Sequence, residues 1–227
     1  MPFSYHWRLA KSTRDDKPTN RSGAVPEPKD ILYFWRPEER QHGFLSMLYP
    51  SPFRDSYFPG KVYPTAEHYL QHHKALLFGD EDTANAVLQC NDPHEARELA
   101  DKVKNFDQNI WEENRERIAH DANWHKFTAP YTPRDTLPES CKVWLSISDE
   151  ALQHAKQMKE ALLATDNRQI VHTSPLDFIW GNGYCWRISW EKREKWGLNL
   201  LGIILMNVRD RIRREEKLKK AMEGQEN

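Results

Sequence analysis

The chain has 227 residues, 38% hydrophobic and 30% charged, which is enough for one well-buried domain under a very polar surface. A net charge of -1 and a pI near 6.8 argue against a protein that grips duplex DNA through its phosphates; a nucleotide, a nucleoside or one short strand stays compatible. Three scattered cysteines (Cys90, Cys141, Cys185), no apolar run of membrane-spanning length and no apolar core in the opening residues speak against a disulfide framework, a cysteine-bound zinc, a membrane span and a secretory signal, so a soluble cytosolic or nuclear protein is expected.

Residues 1–29 read as a flexible leader, because Lys11 to Asp30 holds almost nothing apolar to bury. Ile31 to Trp35 is a β-branched and aromatic run and is the first expected strand. Thr65 after Pro64 is a plausible N-cap for a helix over Ala66 to Phe78, closed by Gly79. Asp92-Pro93-His94-Glu95 is a second helix start, with a cap, proline at the first helical position and an acid three residues after the cap. Asp107 caps a third helix through Trp111, Arg115 and Ile118. A proline-marked stretch, Thr128 to Pro138, follows, and Ser148-Asp149-Glu150 opens a helix to about Leu163. Gln169 to His172 suits a short strand, with a loop from Thr173 to Gly183. The last helix, about Leu198 to Met222, carries Leu201, Leu205, Val208 and Ile212 on one stripe and ends in mixed charge that reads as a solvated tail. The expected architecture is α+β, a mainly helical single domain over 30–212 with a small β-sheet, and a charged helical tail over 213–227.

Chemistry concentrates in two places. At 100° per residue, Glu67, Gln71 and Lys74 share one strip of the helix after Thr65, beside its apolar side, where partial burial tunes an acid and an amine. The plainer explanation is an acid complementing the helix dipole and a snorkelling lysine. His68 and His72 have ligand spacing but lack the metalloprotease pattern, so a structural or solvent-facing role is expected and no metal. The second place is Thr173-Ser174-Pro175-Leu176-Asp177-Phe178-Ile179-Trp180-Gly181-Asn182-Gly183, whose single Gly-x-Gly suits a plain turn better than a phosphate cradle. Nine tryptophans suit either an aromatic core or a pocket that stacks flat ligands.

In order along the chain, Tyr63 to Gln71 with Lys74-Ala75, Phe106-Asp107 with Trp111 and Arg115, Lys126-Phe127, Ser174 to Gly181, and Trp196 to Gly202 with Leu205-Met206 and Val208-Arg209 resemble the NADAR family, also called YbiA-like. The resemblance runs from Leu32 to Ile212. It implies the YbiA-like fold and an N-glycosidase: a hydrolase that cleaves a ribose carbon–nitrogen bond, removing ADP-ribose from guanine bases or, alternatively, splitting ribosylamino-pyrimidine phosphates of riboflavin synthesis. A non-catalytic ADP-ribose-binding module is the rival outside enzymes. The family's motif positions fall on Glu67 and Lys74 and on Asp177 and Trp180. Met47 stands after Ser46, where the family often has an amide, and Thr128 to Pro138 looks like an insertion relative to compact members.

The expected catalytic set is Lys74, Glu67 and Asp177, with either a carboxylate activating water or Lys74 forming a Schiff base with the opened ribose. Trp180 and Trp111 are expected to stack on or line the pocket, and Arg36 and Arg115 to meet phosphate oxygens, although Arg115 equally suits a structural ion pair. Gln71, Ser46, Gly181 and Asn199 complete the substrate-binding candidates. No cofactor is expected. The expected partner is an ADP-ribosylated guanine nucleoside or nucleic acid, or a related ribose phosphate, taken by a monomer.

Overall fold

The computed structural model describes residues 28–55, 58, 61–129 and 157–224. The elements are β1 (Ile31–Phe34), α1 (Ala66–Leu77), α2 (Glu81–Gln89), α3 (Pro93–Ala100), α4 (Gln108–Thr128), β2 (Gln169–His172), α5 (Trp186–Ser189) and α6 (Leu200–Glu223). Short 3-10 turns cover Gly43–Leu45 and Trp190–Lys195, and residues 157–163 are helical. The expected start of that last helix at Ser148, most of the Thr128 to Pro138 stretch and nearly all of the leader lie outside the described residues. β1 and β2 pair in parallel, Ile31 opposite Gln169 through Phe34 opposite His172. The mainly helical α+β expectation matches this architecture.

The caps behave as local chemistry demands. Thr65 Oγ1 accepts from the His68 amide at 3.3 Å, Asp92 Oδ1 from His94 at 2.8 Å, and Asp107 Oδ1 from both Asn109 and Ile110. One helix escaped the sequence reading: α2, capped by Asp80, whose side chain accepts from the Thr83 amide at 3.2 Å. Its run Glu81-Asp82-Thr83-Ala84-Asn85-Ala86-Val87 buries little besides Ala84 and Val87, so the apolar stripe is too thin to register.

α1 is the central helix. It packs on α2, α3 and α4, and the main core joins it to β1, β2, α4 and α6 through Leu32, Phe34, Tyr69, Leu70, Ile118, Ile170 and Leu205. Because it is surrounded, its polar side chains are buried too and each needs a partner. His68 and His72, for which a structural or a solvent-facing role was open, are both fully buried. Thr65 Oγ1 lies 2.9 Å from His68 Nδ1, and Tyr63 Oη 3.1 Å from His72 Nδ1. No cluster able to hold a metal occurs among the described residues.

Burial pulls His68 down from 6.5 to about 4 and His72 from 6.5 to about 3. With folded values below the unfolded one, the unfolded chain binds the additional protons, so stability falls as pH drops below 6.5 and goes on falling to about 4 and 3. Urea unfolding at pH 5 is expected to need about 2 kcal/mol less per histidine than at pH 7. Equal stability at the two pH values would mean that these rings are not held neutral.

Candidate functional site

α1 presents Glu67, Gln71 and Lys74 along one strip, and the structure ties them together. The Glu67 side chain is 2% exposed. Its Oε1 accepts from Gln71 Nε2 at 2.8 Å and from Arg97 Nε at 2.9 Å, while Oε2 accepts nothing among the described residues. One carboxylate oxygen is therefore fixed by two donors and the other is left for a substrate. With its NH2 committed to Glu67, the Gln71 amide holds its own buried Oε1 without a hydrogen bond among the described residues.

Lys74 lies two turns further along. Its Nζ is 5.0 Å from the centre of the Phe106 ring, 5.5 Å from that of Trp111 and 3.8 Å from Asp101 Oδ1. Burial among these rings lowers the amine's pKa from its ordinary value, and the charges of Asp101 and Glu67 pull the other way. Trp111 thus stands beside the Lys74 amine. Phe106, Asp101 and Arg97 were missed as site residues. Arg97 and Asp101 lie on or at the end of a second helix, and nothing in the local pattern of α3 says that it faces α1.

Arg97 is the hub. Its side chain is half exposed, yet its Nε is hydrogen-bonded to the buried Glu67, whose charge chiefly raises the guanidinium pKa; Asp177 and Asp101 add to the effect. Asp177 itself anchors the loop after β2: its Oδ1 accepts from the Ile179 and Trp180 amides at 3.1 and 2.8 Å. His172, the last residue of β2, stacks on Phe34 with ring centres 4.9 Å apart and lies in the fields of Asp177 and Arg97; burial lowers its pKa. α1 and α3 therefore meet at the Glu67–Arg97 pair, and Asp177 in the loop after β2 adds its charge to make one acid-rich centre. Its three carboxylates, Glu67, Asp101 and Asp177, outweigh two cations, Arg97 and Lys74, and favour positive charge developing beside them.

The remaining candidates divide. Trp180 is half-buried against the core. Gly181 belongs to a tight turn: a Cβ there would stand 2.7 Å from the His172 carbonyl oxygen. Gly183 has φ +84, and a Cβ would strike the Phe178 ring. The two glycines close the loop on itself, as a plain turn does. Asn199 spends its amide on β2, accepting from the His172 amide at 2.9 Å and donating to the Ile170 carbonyl at 3.0 Å, so it positions the strand. Ser46 is buried as well. Its carbonyl accepts from Lys126 Nζ at 2.7 Å and its hydroxyl from the Leu48 amide. Lys126 is completely buried, with its pKa lowered to about 7 by burial, and it fixes the segment whose Met47 carbonyl accepts from the Glu67 amide at 3.0 Å. Arg115 is 8% exposed and its Nη1 lies 3.7 Å from Glu112, while its buried Nε has no hydrogen-bond partner among the described residues. Arg36 is exposed and stacks on Trp35 at 3.9 Å.

Residues 33–213 match the NADAR domain. An N-glycosidase of Acanthamoeba polyphaga mimivirus is 31% identical over 191 residues, covering 81% of this chain and 97% of the viral protein. The solution structure of the E. coli protein YbiA is 24% identical and covers 85% of this chain and 90% of that one, with a TM-score of 0.57, a likeness of fold. The family match holds every residue of the centre just described. The chain belongs to the NADAR domain family.

Proposed function

We propose that the N-glycosyl hydrolase activity of this NADAR protein removes ADP-ribose from guanine, in a nucleoside or a nucleic acid, through a Schiff base on Lys74. The observation that carries this reading is the Lys74 amine itself: held between the Phe106 and Trp111 rings, lowered in pKa by burial, and on the same strip as a carboxylate with one oxygen unoccupied. A lysine so placed reaches the neutral form that adds to an electrophilic carbon.

The ribose ring opens, its ring oxygen takes a proton, and C1′ becomes an iminium to the base nitrogen. Neutral Lys74 Nζ adds to C1′. The base nitrogen then leaves with a proton, and a protonated imine joins Lys74 to C1′. Water adds to that imine, the C–Nζ bond breaks, and ADP-ribose departs as the aldehyde with the lysine amine restored. One water is consumed. Glu67 Oε2 is the group that moves protons between these steps, and Arg97 and Gln71 hold it in place.

Borohydride added during turnover of ADP-ribosylated guanosine is expected to fix an ADP-ribosyl mass to a peptide containing Lys74. Steady release of ADP-ribose with no adduct would replace the imine by direct attack of water. Failure of the purified chain to release ADP-ribose from this substrate would overturn the substrate assignment.

A further inference from the structure

The acid-rich centre accounts for the sugar and says nothing of the other end of an ADP-ribosyl group. An open cavity of about 370 Å³ lies at the C-terminal ends of β1 and β2, walled by Tyr33, Arg40, Gln41, His42, Thr173 and Trp186, and is within the size range of small-molecule sites. None of Glu67, Lys74, Arg97 or Asp177 lines it. The crevice beyond the carboxyl ends of parallel strands is also where ligands settle in open α/β sheets, because the strand ends diverge into loops there.

Three observations point to what it takes. Trp186 is 57% exposed at the start of α5, although tryptophan is normally buried for its area. It faces the cavity, and the Arg187 guanidinium stands 5.5 Å from its ring. Second, the cavity's acid and base are unequally occupied. The Glu39 carboxylate accepts from the Trp35 amide at 3.1 Å, while Arg40, exposed at the cavity wall, forms no ion pair with any described residue, and a guanidinium pairs well with phosphate oxygens. His42, also in the wall, has its pKa lowered, chiefly by burial and then by Arg168. Third, the cavity adjoins the centre: Thr173 lines it, and the preceding residue, His172, lies in the fields of Asp177 and Arg97. The loop that carries Arg40 is tightly folded, since a Cβ on Gly43 would stand 2.2 Å from the Pro37 carbonyl oxygen. The wall is thus built in advance of any ligand.

Resting on the ADP-ribose reading above, we propose that this cavity binds the adenosine end of the ADP-ribosyl group, with Trp186 stacking on the purine and Arg40 meeting the neighbouring phosphate. The chemistry recognised is a flat heteroaromatic ring joined to an anion. A bare apolar ligand would leave Arg40, Gln41 and His42 without a use.

The test compares two substrates: ADP-ribosylated guanosine and its truncated counterpart, in which guanosine carries only ribose 5-phosphate. Wild type is expected to prefer the complete substrate in kcat/KM. Trp186→Ala and Arg40→Ala should each reduce that preference by on the order of tenfold, mainly through KM, as loss of one stacking or ionic contact does. AMP should quench tryptophan fluorescence in wild type and not in Trp186→Ala. If the preference is the same in both variants as in wild type, the adenosine lies elsewhere and this assignment is wrong while the ADP-ribose reading stands. If wild type cleaves the complete substrate no better than the truncated one, the cavity assignment falls on its own. Should wild type cleave neither substrate, the ADP-ribose reading fails and takes this assignment with it.

Discussion

Lys74→Arg is expected to abolish turnover of ADP-ribosylated guanosine, with kcat lower by on the order of a thousandfold, and to leave the fold intact. The guanidinium keeps the positive charge beside Phe106, Trp111 and Asp101 but stays protonated at all accessible pH values, so it forms no imine. Lys74→Ala should be as inactive. Because Asp101 is 68% exposed, loss of that ion pair costs about 1 kcal/mol or less, and thermal unfolding separates a chemical defect from a folding one. Single-turnover chromatography of released ADP-ribose is the direct measurement. Activity of Lys74→Arg within tenfold of wild type would exclude lysine as the nucleophile and leave the carboxylate-and-water route.

Arg97→Ala has the second large effect, and it acts at a distance from the nucleophile. The substitution strips a buried carboxylate of its cation and leaves Gln71 as its single hydrogen-bond partner among the described residues. Breaking a fully buried pair costs about 3–5 kcal/mol. The exposed half of the Arg97 side chain brings the expected loss nearer to about 2 kcal/mol. Turnover should fall by on the order of a hundredfold through kcat, since Glu67 then has more than one orientation. Arg97→Lys should recover part of both losses: an ammonium supplies the charge and only one of the guanidinium's directions. Urea unfolding and steady-state kinetics on the pair of variants measure the two effects separately. A kcat for Arg97→Ala equal to that of wild type would mean that Glu67 needs no clamp.

The site was half legible. Glu67, Gln71 and Lys74 could be lined up from their numbers because helical geometry relates residues four and seven apart, and the Thr65 cap sets where that helix begins. Phe106 and Asp107 could be quoted as a motif, but not that Phe106 would cover Lys74, because no periodicity relates residues 32 apart. Arg97 was invisible for the same reason. Asn199 shows the same limit: its amide holds the backbone of β2, 27 and 29 residues away along the chain.

By itself the sequence determined what is local: the three caps Thr65, Asp92 and Asp107, the strands at Ile31 and Gln169, the stripe along α6, and a series of short motifs specific enough to identify the family. Only the tertiary structure decided how those motifs act on one another. The amides of Leu198, Asn199, Leu200 and Leu201 are satisfied by the carbonyls of Phe178, Gly181, Ile179 and Trp180, so the two glycine-containing motifs are one structure folded over the start of α6. Likewise Lys126 secures Ser46, and Arg97 secures Glu67, across 80 and 30 residues of chain. The reason is that caps and helical faces are satisfied by neighbours within a turn or two, whereas a buried charge is satisfied by whichever distant group the packing brings to it.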